Sequence, residues 1–105
     1  MAKYFFLGTY SNEGAAGLLS GATDRKAAIE ALTQSVGGKL ISVDITRGKY
    51  DACVVVEADS FDVAGAVALK VRASGAMDEL IVLEAVDINK IAETATSVNY
   101  TPPQG

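Results

Sequence analysis

Tyr50, Asp51 and Glu57 are the strongest candidates for reactive or ligand-binding groups in this chain. A phenol next to a carboxylate can relay a proton or hold a polar ligand at the mouth of a cavity. Glu57 closes the apolar run Ala52-Cys53-Val54-Val55-Val56. It shares parity with Asp51, Cys53 and Val55, so period-two alternation sets all four on one face of a strand. A carboxylate beside a covered apolar face has its neutral form favoured and can serve as a base. The same residues also have a plain structural role. Gly48 frees the backbone, Asp51 accepts backbone N–H groups and Tyr50 covers a sheet edge. For Tyr50 and Asp51 the structural role carries more weight; for Glu57 the two balance. Tyr4 and Tyr10 share a parity with Phe6 in the N-terminal run. They could form a ligand shelf, although an aromatic stripe more commonly belongs to the core. Glu13 follows in a Gly-rich stretch from which it could close over a pocket, or stay solvated.

Composition removes several other chemistries. The chain has 105 residues with 9 Lys+Arg against 13 Asp+Glu, a net charge of −4. Without a basic run there is little to neutralise phosphates, so no nucleic-acid partner is expected. There is no His, which rules out imidazole bases and His-ligated metals. Cys53 is the sole cysteine, so neither a CxxC site nor an intrachain disulfide is available, and a lone thiol suits a reducing cytoplasm. No metal or cofactor is expected. No apolar run approaches the roughly 20 residues that span a bilayer, and the Tyr-Phe-Phe-Leu start is too short for a secretory apolar region. The expected setting is cytoplasmic, away from membranes.

The elements that must hold these residues can be read from periodicity. Residues 3–10 read as a strand, 11–22 as a Gly-rich loop with at most a weak helical turn, and 23–36 as a helix. That helix has Thr23 as N-cap, Asp24 in its first turn and Ile29, Leu32 and Val36 at helical spacing. Gly37-Gly38 stops it. Residues 39–46 form a second strand, in which Ile41, Val43 and Ile45 alternate with Ser42 and Asp44, and 51–58 a third. Ser60 caps a helix over 61–74, 78–87 form a fourth strand, and Asp87 caps a short helix over 88–95. The order β-α-β-β-α-β predicts a single ferredoxin-like α+β domain over 1–96, with strands one and three central and a polar tail over 97–105.

Strands one, three and four are apolar on both pleat faces, whereas a sheet wet on one face alternates apolar with polar. Two helices cover one face. At about 25 cal/mol per Å² the other is costly to leave bare, so a second copy is expected to cover it in a homodimer or higher oligomer. The mean hydropathy of +0.25, high for so small a chain, fits the same expectation. The Pro102-Pro103 tail reads as extended and held against another subunit.

Arg47-Gly48-Lys49-Tyr50-Asp51, followed by Ala-Cys-Val-Val-Val and Glu57-Ala58, resembles the motif of the GYD domain family. Thr9-Tyr10 ahead of Ser-Asn-Glu13-Gly14, and Gly37-Gly38-Lys39 before the second strand, resemble that family too. The likeness spans about residues 3–90. It departs where Ala58-Asp59-Ser60 stands in place of a Pro-Asp pair, and in the Pro-Pro tail. It implies the fold of the dimeric α+β barrels, with sheets packed on one another, and no particular reaction.

Three functions are compatible with these residues. One is a homo-oligomeric accessory or assembly module, or a binder of a small molecule or protein partner, favoured by the missing His and the two-faced sheet. Another is an enzyme like the cofactor-independent monooxygenases of the dimeric α+β barrel group, with Tyr50, Asp51 and Glu57 as its polar groups. The third, a ligand-sensing regulator like the nitrogen-regulatory trimers, lacks the long basic loop expected there. A cavity under the helices lined by several polar groups would favour the enzyme; a packed core would favour the module.

Overall fold

A computed structural model describes residues 1–20 and 25–104. The chain runs β1 (Ala2–Tyr10), α1 (Asn12–Ser20), α2 (Arg25–Gln34), β2 (Lys39–Ile45), β3 (Ala52–Ala58), α3 (Phe61–Ala73), β4 (Met77–Glu84) and α4 (Ile88–Ala95). The four strands form one antiparallel sheet in the order β2-β3-β1-β4. This is the ferredoxin-like α+β arrangement, with β1 and β3 in the middle, as the β-α-β-β-α-β pattern predicts. Thr23 and Asp24, the expected start of the second helix, lie outside the described residues.

Pleat parity decides what the sheet buries. Tyr4 and Phe6 of β1 and Val56 of β3 face Ala64 and Ala68 of α3, and together they make the core, flanked by Val54, Val63, Val67, Leu80 and Val82. Ala64 is 1% exposed, and its small side chain lets α3 lie close on the sheet. A larger residue there would push the helix outward at about 1–3 kcal/mol. Ser60 occupies the N-cap position of α3 with an extended backbone but makes no side-chain capping bond. Asp87 does cap α4, its Oδ1 accepting from the Asn89 and Lys90 N–H groups at 3.0 and 3.3 Å.

Two expectations are corrected. The Gly-rich stretch after β1 is a helix, not a loop. Its Ser11 hydroxyl accepts the Gly14 N–H at 3.0 Å and donates to the Gly75 carbonyl, while the Ser11 N–H reaches the Ala76 carbonyl at 3.0 Å. Gly14 is not there for flexibility: a Cβ on it would stand 2.2 Å from the Ala76 carbonyl oxygen. The glycine lets α1 press against the turn before β4, and packing overrides the roughly 1 kcal/mol penalty of glycine in a helix. The second correction concerns β2. The register shifts between Leu40 and Ser42, so Ile41 is an extra, exposed residue and the simple alternation of Ile41, Val43 and Ile45 is broken. Such a bulge reassigns the faces on either side of it.

The molecule is longer than its chain length implies. Its radius of gyration is 17.4 Å and its extents 58 × 35 × 23 Å, against about 13 Å for the radius of a compact chain of this size. The excess lies in the C-terminal arm. Ala85 still donates to the Lys3 carbonyl at 2.9 Å; beyond it every described residue, all of α4 included, is exposed.

Candidate functional site

Between the sheet and the helices lies a partly open cavity of about 160 Å³. Its floor is Phe6 and Gly8 of β1, Ala52, Val54 and Val56 of β3 and Leu80 of β4; its roof is Ile29, Leu32 and Thr33 of α2 and Val67 and Val71 of α3; Tyr10 and Met77 stand at one end. Small residues make the space. Gly8 and Ala52 are direct cross-strand partners, so the centre of the floor has almost no side chain. The cavity nearest Gly8 is partly filled by Met77, whose Cε would be 2.2 Å from a Cβ there. Only Thr33 and Tyr10 bring hydroxyls to the lining, and the Thr33 hydroxyl donates to the Ile29 carbonyl at 2.8 Å. The cavity therefore suits an apolar guest. An apolar cavity of roughly 150 Å³ takes a molecule of benzene's size.

The residues singled out by sequence are dispersed. Asp51 brackets the end of the β1–β3 ladder. Its N–H donates to the Gly8 carbonyl at 2.8 Å, its carbonyl accepts the Thr46 N–H at 2.8 Å, and its Oδ2 accepts the Tyr10 N–H at 2.9 Å. The carboxylate takes the place of a strand acceptor beside the point where the β1–β4 register shifts between Thr9 and Tyr10, Asp78 of β4 being the extra residue. Gly48, at φ 134°, makes the approach to this bracket possible. Tyr50 is half-buried, with the Lys49 Nζ 5.6 Å from its ring centroid, and does not line the cavity. Glu57 lies on the sheet face away from α2 and α3, with Lys3 and Lys39 directly across from it on the two neighbouring strands.

Tyr4 is fully buried, and its hydroxyl donates weakly to Glu84 Oε1 at 3.4 Å. Burial raises its pKa above the ordinary tyrosine value, and the Glu84 and Asp62 carboxylates raise it further. Glu13 is exposed in the first turn of α1, its Oε2 close to Gly75. Of the six candidates, Tyr10 alone lines the cavity. The roof residues Leu32, Thr33, Val67 and Val71 were not singled out by sequence, because apolar helix positions look alike whether they fill a core or line a hole in it. The one available sign was small residues, Gly8 and Ala52, on strands that pair.

Among the described residues no group of His, Cys, Asp and Glu could hold a metal ion, and no helix is long and apolar enough to cross a membrane.

The fold and cavity place the protein among the ferredoxin-like α+β domains. Two solved structures share it: one described as FFRP-DM1 (TM-score 0.52, 20% identity, covering 82% of this chain and 100% of that one) and the hypothetical protein PHS023 from Pyrococcus horikoshii (TM-score 0.51, 16% identity, covering 82% and 90%). At these identities the likeness is one of fold. No curated protein matches the sequence. The GYD domain matches residues 4–95, and the chain belongs to the GYD domain family.

Proposed function

We propose that this GYD-family protein is a self-associating module that binds a small apolar molecule in the cavity between its sheet and its helices. The carrying observation is the cavity itself: about 160 Å³, walled by aliphatic and aromatic side chains from five elements. A guest the size of a single ring would make contacts with the cavity walls that are otherwise unmade. The enzymatic alternative has less to draw on, since Tyr50, Asp51 and Glu57 lie outside the cavity and the Asp51 carboxylate is engaged by the Tyr10 N–H.

Self-association is supported by the opposite sheet face. Phe5 and Leu7 of β1, Val55 of β3 and Ile81 and Leu83 of β4 share that face, away from α2 and α3. Its charges are unevenly divided. Lys3, Lys39 and Glu57 lie at one end, and Asp44 and Glu79 toward the other. A second copy stacked with its strands reversed would set the lysine end on the acidic end, a self-complementary pairing that a two-fold axis permits.

Thermal melting with benzene as the probe tests the cavity reading. Benzene is expected to raise the Tm of the native protein and to leave the Val67→Phe variant, whose ring fills the cavity from the roof, unmoved. A native protein insensitive to saturating benzene overturns the reading.

A further inference from the structure

We propose that the C-terminal arm, residues 85–104, docks on a second copy of this chain, laying the apolar stripe of α4 along the margin of that copy's open sheet face. This rests on the pairing reading above. The stripe is Ile88, Ile91 and Ala95, spaced to fall on one side of the helix, while Asn89, Lys90, Glu93 and Thr94 take the other; Val98 follows in the turn just beyond it. Ile88 is 66% exposed, Ile91 48% and Val98 65%.

An eight-residue helix is below the roughly 12–15 residues at which isolated helices become even marginally stable in water. The Asp87 cap satisfies the first turn but does not cover the isoleucines. The helix-side core is already roofed by α2 and α3. The arm leaves the sheet at the edge strand β4, whose open-face residues Ile81 and Leu83 lie just before it in the chain.

Area points to the same occupant. Four strands of seven to nine residues present a face of about 500 Å², from strand spacing and rise. A stable interface takes about 800 Å² from each partner. Two reciprocal arms enlarge what the stacked faces bury, because each covers its own stripe and the surface beneath it. The lysine-to-acid polarity of the open face makes a second copy its complement.

Sedimentation of the full chain with the double substitution Ile88→Glu and Ile91→Glu, together with hydrogen exchange of the α4 amides across a dilution series, tests the arm. Both isoleucines are exposed in the protomer, so the substitutions leave its core intact. The native chain is expected to dimerise at micromolar concentration. The double variant should raise the dissociation constant at least tenfold and Lys90→Glu, on the polar side, less than about twofold. The α4 amides should be protected only where dimer is populated. A dimer that ignores the double substitution and leaves α4 unprotected overturns the arm inference while leaving the pairing intact. Protection that persists in dilute monomer overturns it in favour of docking on the same protomer. A native chain that sediments only as the 10.9 kDa species removes the pairing reading, and the arm inference with it.

Discussion

The Asp51 carboxylate accepts the backbone N–H of Tyr10 at 2.9 Å, across 41 residues of sequence, and so closes the end of the central strand pair. The aspartate of the family motif is, in this chain, a strand bracket. Replacing it with Ala leaves the Tyr10 N–H without its acceptor and is expected to cost about 1–3 kcal/mol. Asn keeps an oxygen in place and should cost less than half as much. Equilibrium denaturation of Asp51→Ala and Asp51→Asn checks this; equal losses would mean that the charge, and not the acceptor, matters.

Tyr4 predicts a stability change in alkali. Burial and the neighbouring carboxylates raise its folded pKa above the unfolded value of about 10. The neutral phenol is thus the form the fold retains. Its stabilising share is complete below pH 10 and is lost as the pH climbs from there through the folded pKa. Tyr4→Phe should flatten the fall in stability between about pH 10 and the raised folded pKa, and the pH dependence of the denaturation midpoint in the two proteins measures it.

Gly14 and Gly17 sit in the same helix and should respond oppositely to alanine. A Cβ at Gly14 meets the Ala76 carbonyl oxygen at 2.2 Å, whereas at Gly17 it meets only the Arg25 guanidinium at 3.4 Å. Gly14→Ala is expected to destabilise by about 1–3 kcal/mol through overpacking. Gly17→Ala should gain up to about 1 kcal/mol from helix propensity. Melting temperatures of the two variants decide whether packing or propensity governs α1.

The polarity of the open face predicts a charge-swap result. Lys39→Glu should weaken self-association severalfold at low salt by setting like charges together at the stacked ends. Adding Glu79→Lys to that variant should restore it, and 1 M salt should erase the difference. Sedimentation of the single and double variants is the measurement; a double variant no tighter than the single one argues against strands running in opposite directions.

The order and kind of the elements around the core are legible from residue pattern alone. β1, β3 and β4 are runs of aromatic and β-branched residues, α3 has helical spacing ended by Gly75, and Asp87 precedes a helix that it does cap. Those signals are local, arising from backbone preference and periodicity within a few residues, and so survive without knowledge of the rest of the chain. The GYD motif was legible in the same way. Its role was not, because the partner of Asp51 is the backbone of Tyr10, and only pairing of β1 with β3 brings the two together. The helical state of α1 was hidden for a related reason. Gly14 and Gly17 lower its intrinsic propensity, and the contact that makes Gly14 necessary comes from Ala76, far along the chain. The cavity belongs wholly to the tertiary structure. The small residues Gly8 and Ala52 line a hollow only once they lie opposite one another and α2 and α3 are laid over both, and no residue type records how closely two layers will approach.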